Sequence, residues 1–462
     1  MKQIRLYLAI VLPLLAGIFA ITYYGGNAHP AQVSPAEGAG FDPAKFLKAA
    51  FHNPLSMILI QLIVILAVAK VVGWLFTKIR QQSVMGEIVA GIMLGPSLLG
   101  WIAPEFSASL FPKDSLVHLN ILSQLGLLIF MFCIGMELDI DAIHKHFGKS
   151  MVISHSSIAV PFLLGTGFAW FTYERFGVAK SGFVAYSLFM GIAMSITAFP
   201  VLARILKERG MTTGYLGSMA LMCAAIDDVS AWCILPVVVA ITKAESMQGV
   251  VVTVILTAIF VSMMIFVVKP ALQKYYERQQ KRGIEFIAIA LFVLLASALT
   301  SEIIGIHALF GAFIAGAVLP GSKELRHNMT ERLEGVSVSL LLPIFFVLTG
   351  LRTKINVLTD PTLLPVFFII LGLAISGKLI GSAVAARFSG FNWRDSIGIG
   401  ALMNTRGLME LIVLNIGFDL GVLKQEVFSM MVFMALITTF MTAPILDQLE
   451  RPSAAAAPKV SH

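Results

Sequence analysis

Ala224-Ala225-Ile226-Asp227-Asp228-Val229-Ser230-Ala231-Trp232 sets two adjacent carboxylates inside an apolar run from about residue 214 to 241. Such a run can cross a bilayer, which takes roughly 20 apolar residues at about 1.5 Å of rise each. A charged Asp at the centre of a membrane helix costs about 3 kcal/mol on insertion scales, so two in succession mark a function. The reading is a mid-membrane site that binds a cation or a proton. The plainer alternative, a helix end with both acids in water, conflicts with the apolar residues flanking the pair on each side.

Composition sets the class. Hydrophobic residues make up 58% of the 462 and charged residues 13%, against roughly 25% charged in soluble domains. The chain is therefore an all-α polytopic membrane protein. Its net charge of +7 is expected in loops on one side of the membrane, so no nucleic-acid partner is implied. Cys133, Cys223 and Cys233 all lie in apolar runs, which suggests neither a disulfide framework nor a metal cluster. No cofactor is expected.

The N-terminus begins with Lys2 and Arg5 and continues apolar to about Tyr23. It reads either as a signal peptide, with a small-x-small site at Gly26-Asn27-Ala28, or as a retained first helix. A connector follows, so 1–54 stands apart. Apolar segments come next at about 55–77, 85–102, 119–138, 149–172, 182–206, 214–241, 249–269, 284–300, 303–320, 334–351, 362–387, 395–418 and 426–446. That predicts 13 transmembrane helices, or 14 with the first run. Placing the N-terminus inside puts most of the 33 Lys and Arg residues in inner loops. The expected location is a bacterial inner membrane with the C-terminus cytoplasmic.

Gly86-Glu87-Ile88-Val89-Ala90-Gly91-Ile92-Met93-Leu94 resembles Gly311-Ala312-Phe313-Ile314-Ala315-Gly316-Ala317-Val318-Leu319. Ile129-Phe130-Met131-Phe132-Cys133-Ile134-Gly135-Met136 resembles Ile344-Phe345-Phe346-Val347-Leu348-Thr349-Gly350-Leu351. Order and spacing are kept, which defines one repeat at 55–241 and another at 284–446, joined by a linker helix at 249–269. Matching segments cross in opposite directions, so the two six-helix repeats are inverted, as in secondary transporters.

Transporter sites are often built where helices break at corresponding places. In 182–206, Ser195-Ile196-Thr197-Ala198-Phe199-Pro200 puts hydroxyls and a proline mid-span, and proline frees the carbonyl four residues earlier. In 395–418, Met403-Asn404-Thr405-Arg406-Gly407 does the same with polar groups and a glycine. Crossed broken helices are expected, with Ser195, Thr197, Asn404 and backbone carbonyls completing an ion site around Asp227 and Asp228. Lys378, deep in 362–387, needs a carboxylate, and the Asp pair supplies it. The expected Asp227–Lys378 pair breaks during the cycle and makes exchange electrogenic. The alternative is that Lys378 stays charged throughout. Arg406 and Glu410 are four apart on one helix and read as a structural charge pair. Glu87 and Lys70 lie near predicted ends and read as solvated. His307 reads as a hydrogen-bonded packing residue.

Ser195 through Arg204, Met403 through Leu411, and Gly86-Glu87 through Gly95-Pro96-Ser97 resemble motifs of a known group. The chain resembles the monovalent cation:proton antiporter-2 family, in its sodium/proton exchanger domain. Within it, the plant and fungal cation/proton exchanger branch is most alike. The likeness covers about residues 55–446. It implies that Asp228 is the ion-binding proton carrier, holding the monovalent metal cation, and that Lys378 is the lysine paired with the first acid. It also implies a homodimer. The branch often has Asn at the first acid position. Asp227 departs from that, so Na⁺ versus K⁺ and the stoichiometry stay open. Residues 447–462 form a short tail, and no attached nucleotide-binding regulatory domain is expected. The function implied is secondary active exchange of a monovalent cation, Na⁺ first and K⁺ second, for protons. The competing reading is a cation-coupled organic-solute symporter of related fold. The chain reads as a transporter and not an enzyme, because an intramembrane aspartyl protease needs acids facing one another from different helices.

Overall fold

The structure is a computed structural model that describes residues 53–79, 81–137, 147–208, 211, 215–243, 247–278, 283–320 and 323–450. The N-terminal apolar run, nearly all of the connector, and residues 451–462 lie outside the described residues. So do the expectations placed on them. The described residues from Met57 onward form one unit by their internal contacts. All regular structure among the described residues is helical.

The helices are α1 Pro54–Lys78, α2 Ser83–Leu94, the short α3 Leu99–Ile102 and α4 Pro104–Leu110, and α5 Lys113–Glu137. Then come α6 Phe147–Phe176, α7 Gly182–Ser195, α8 Phe199–Glu208 and α9 Tyr215–Lys243. Next, α10 Met247–Met263 continues through a π turn into α11 Lys269–Arg278, followed by α12 Gly283–Ile304 and α13 Ala308–Ala317. Another π turn joins α14 Lys323–Val336 to α15 Leu342–Arg352. The chain closes with α16 Leu364–Phe388, α17 Trp393–Met403, α18 Leu408–Asp419 and α19 Gln425–Glu450.

Each apolar segment from residue 55 onward has become a helix, but they do not make 13 spans. Among the described residues, 11 helices are long and apolar enough to cross a membrane, and 12 if the bent pair α17–α18 is one span. The difference is segment 303–320. Its helix, α13, has 10 residues, about 15 Å, half of a hydrocarbon core of about 30 Å. The turn before it hides in an apolar stretch. Gly305 has φ +98° and His307 φ +79°, the left-handed region where L side chains are rare.

The repeat seen in sequence reappears as an exchange of contacts. A Cβ on Gly91 would lie 2.3 Å from Val347 O, and one on Gly350 2.4 Å from Ile88 O, so α2 and α15 touch backbone to backbone. A Cβ on Gly135 would lie 2.2 Å from Phe313 O, and one on Gly316 2.1 Å from Phe132 O, so α5 and α13 do the same. The glycine of each half's first motif packs on the glycine of the other half's second motif. Two-fold related halves produce this pairing, and close approach through small residues is the usual packing of membrane helices.

Proline decides where α7 stops. Pro200 has no N–H to give Ile196 O, and it is tolerated in the first turn of a new helix. The chain therefore runs extended at Ile196, with ψ 136°, and restarts at Phe199. In the other half, α17 and α18 are bent by 43°. The two breaks are bonded to each other, Ala198 N–H donating to Thr405 O at 3.0 Å. They cross beside α9, which packs on α6, α7, α8 and α17.

Gly350→Ala should lower the melting temperature of the detergent-solubilised protein, because overpacking costs about 1–3 kcal/mol. Gly372→Ala, in open space, should not; equal effects would contradict the close approach.

His307 gives a pH dependence. Its Nδ1 accepts the Leu309 N–H at 3.4 Å and so caps α13 as the neutral ring. Burial first, then the Lys243 ammonium, holds this imidazole below its ordinary value against the pull of Glu302 and Asp419. Below about pH 6.5 the unfolded chain takes up a proton that the folded chain refuses. The stability His307 confers is thus complete above that pH and lost as pH falls. His307→Asn keeps a capping side chain that tolerates this φ. It should flatten the decline in melting temperature between about pH 7 and 5; an unchanged slope would contradict the assignment.

Candidate ion-binding site

Asp227 and Asp228 stand mid-way along α9 and are 0% and 4% exposed. Being adjacent, they point about 100° apart on the helix, and their surroundings differ completely.

Asp227 is saturated. Its Oδ1 accepts a hydrogen bond from Ser154. Its Oδ2 accepts from Thr197 Oγ1 at 2.7 Å, Ser157 Oγ at 3.1 Å and Lys378 Nζ at 3.0 Å. Lys378, on α16 and also 0% exposed, spends its three protons on Ser157 Oγ at 2.9 Å, Thr197 Oγ1 at 2.6 Å and Asp227. The pair is a closed network from α6, the α7–α8 break, α9 and α16. Burying two ions is costly unless geometry and accessory bonds are good, and here every lysine proton has an acceptor.

Asp228 is the reverse. Neither of its oxygens has a hydrogen-bond partner. The amide of Phe199, first residue of α8, faces it outside hydrogen-bonding geometry. The start of a helix carries partial positive charge that favours an anion. A buried carboxylate without partners is expensive, so it calls for a proton or a cation.

The other predicted residues divide. Thr197 Oγ1 also lies 3.0 Å from Met403 O at the end of α17, an acceptor that competes with Asp227 for its one proton. Its oxygen keeps one lone pair after accepting from Lys378. Asn404 is 1% exposed, and both its amide atoms lack partners. Ser195 bonds backbone, its one hydroxyl proton shared between Gly191 O at 2.7 Å and Ile158 O at 3.0 Å, outside the network around Asp227.

Arg406 does more than face Glu410. Its Nη1 lies 3.2 Å from Glu410 Oε2, both side chains being 0% exposed. Nη1 and Nη2 also donate to Ala193 O at 2.9 Å and Met194 O at 2.7 Å. These are last-turn carbonyls of α7, the negative end of a helix. Thr439 on α19 fixes the Arg406 backbone from both sides, accepting from its N–H at 3.0 Å and donating to its carbonyl at 2.8 Å. Both ends of the first break therefore meet a charge of the sign their dipoles ask for. Gln82 adds a bond from the start of α2 to the second half of the first break, donating to Val201 O at 2.7 Å.

Ser154 and Ser157 were not singled out in the sequence. The available signal was Ser150, Ser154 and Ser157 at helical spacing in an apolar segment, all 0% exposed. Glu87, read as solvated, is 7% exposed, because α2 begins at Ser83 and packs on α15. Lys70 is exposed.

With this geometry in view, the comparison with known proteins is specific. The family model described as sodium/hydrogen exchanger, transmembrane, matches residues 63–448. The chain belongs to the sodium/hydrogen exchanger family. Within that family it is 40% identical over 406 residues to the Na(+)/H(+) antiporter NhaS4 of Synechocystis, covering 86% of this chain and 98% of the relative. It is 37% identical to Cation/H(+) antiporter 17 of Arabidopsis thaliana, covering 87% and 49%, and 32% identical to K(+)/H(+) antiporter 1 of Saccharomyces cerevisiae, covering 87% and 47%. The chain thus spans about half the length of these plant and yeast relatives. Among solved structures it is similar to the sodium proton antiporter MjNhaP1 of Methanocaldococcus jannaschii, with TM-score 0.59 and 13% identity over 86% of this chain and 97% of that one. At that identity the likeness concerns the fold.

Removing Arg406 should cost about 3–5 kcal/mol, the penalty for stranding a buried charge. Arg406→Ala is expected to lower thermal stability sharply, and adding Glu410→Ala to recover only part, since the Ala193 and Met194 carbonyls stay uncapped. Full recovery in the double variant would show that Glu410 was the only partner that mattered.

Proposed function

We propose that this chain is a secondary active antiporter that exchanges a monovalent cation, Na⁺ first and K⁺ second, for protons by alternating access. The observation that carries the reading is Asp228, a buried carboxylate with two unpartnered oxygens beside two bonded helix breaks. The names of the relatives as antiporters support it, and none of those names favours the cation-coupled solute symporter.

The chemistry follows from cost. A bare carboxylate in a low-dielectric interior is unfavourable by several kcal/mol. Either a proton or a monovalent cation removes that cost, and one carboxylate takes one at a time. If the uncompensated anion does not make the transit, transport of one species requires return of the other. Asp228 supplies the charge for the cation. The neutral oxygens at the breaks, those of Asn404, Thr197 and Ser195, are the proposed replacements for its water shell. Asp227 and Lys378 neutralise one another beside this site. When a cation draws on Asp227, Lys378 loses one acceptor and is the group from which a second proton would come, which makes exchange electrogenic. The proposed setting is a homodimer in a bacterial inner membrane with the C-terminus cytoplasmic, supported by the family resemblance and the distribution of Lys and Arg.

Asp228→Asn keeps the shape and loses the charge. In proteoliposomes with an imposed acid interior, the parent should release protons on addition of Na⁺ or K⁺. The variant should show no cation-dependent release while retaining the parent's elution profile in detergent. Robust exchange by Asp228→Asn would refute the proposed role.

A further inference from the structure

We infer that Ser154 and Ser157 on α6 are positioning residues that decide which of the two adjacent acids meets the ion. This rests on the exchange proposed above. Asp227 and Asp228 are chemically identical and equally buried, so burial does not choose between them. What differs is the supply of donors. Asp227 has four, two of them the α6 serines, and Asp228 has none.

The two serines are not equivalent. Oδ1 of Asp227 has one hydrogen-bond donor, Ser154, whereas Oδ2 has three. Loss of Ser154 strands a buried carboxylate oxygen. Loss of Ser157 leaves Oδ2 with Thr197 and Lys378. Both serines are 0% exposed on a helix that packs against α9 and α16, so no water replaces the missing hydroxyl at the surface.

The consequence is selectivity. With Ser154 in place, Oδ1 of Asp227 is held in its hydrogen bond, and the ion draws on Asp228 and neutral oxygens more strongly than on Asp227. Without it, Oδ1 of Asp227 is free to turn to the ion held by Asp228, and the site presents two carboxylates. A stronger anionic field favours cations of higher charge density, because direct attraction then outweighs the cost of stripping water. Small Li⁺ should gain on large K⁺. The serines thus hold the site in a weaker field than two free carboxylates would give.

Cation-dependent proton efflux from proteoliposomes at several Li⁺ and K⁺ concentrations, with the potential clamped, gives the apparent KM for each ion. Ser154→Ala should raise the Li⁺-over-K⁺ preference in apparent KM by about tenfold, the scale of one lost bond to a charged group. Ser157→Ala should shift it less, by under about threefold, and Ser154→Thr, which keeps the hydroxyl, should restore the parent ratio. A purely structural serine would lower the amount of folded protein and the maximal rate but not the ratio. An unchanged ratio in Ser154→Ala, or in Ser154→Gly should the alanine variant not fold, overturns the inference. So does a larger shift in Ser157→Ala than in Ser154→Ala. If the parent itself moves no protons against either cation, the exchange reading fails first, and the role of the serines falls with it.

Discussion

A charge removed from water must be bonded, paired or neutralised, and the interior of this protein is arranged around that demand. Asp227 and Lys378 satisfy it completely. Four donors converge on the carboxylate and three acceptors on the ammonium, contributed by helices far apart in sequence. The network holds α6, α9, α16 and the first helix break in one register. Asp228, one residue on, is left out of it. The contrast between a finished site and an unfinished one on adjacent residues is what the proposed exchange depends on.

The broken helices are costly for the same reason, because each exposes backbone groups that a continuous helix would satisfy. Here the ends answer one another. Ala198 N–H takes Thr405 O, Arg406 caps Ala193 and Met194, and Thr439 holds the Arg406 backbone. The positive start of α8 faces Asp228. Glycine pairs in both halves bring helix backbones close enough to fix this crossing, Gly91 with Gly350 and Gly135 with Gly316. Side chains at those four positions would separate the helices that frame the crossing.

What the sequence revealed, it revealed through residues that are rare in membrane helices. The acids at 227 and 228, Lys378, Pro200 and the matched glycines each carry a cost or a constraint visible without coordinates. Ser154 and Ser157 carry almost none, since a lone serine can bond its own helix backbone. Only their distance from Asp227 gives them a role. Arg406 was legible as a partner for Glu410 at i+4, but its bonds to Ala193 and Met194 cross 213 and 212 residues of sequence and leave no local trace. The short α13 was hidden because its preceding turn, Gly305-Ile306-His307, is mostly apolar and merges with the runs around it. Glu87 was misread because burial depends on which helices, here α1 and α15, pack on α2.

The most direct test is the proton count on cation binding. Purified parent protein in weakly buffered detergent, at a pH where Asp228 is protonated, should release protons when Na⁺ or K⁺ is added, and choline should release none. Asp228→Asn, which lacks the charge that holds the cation, should release none. Equal release from parent and variant would contradict the claim that cation and proton compete for this carboxylate.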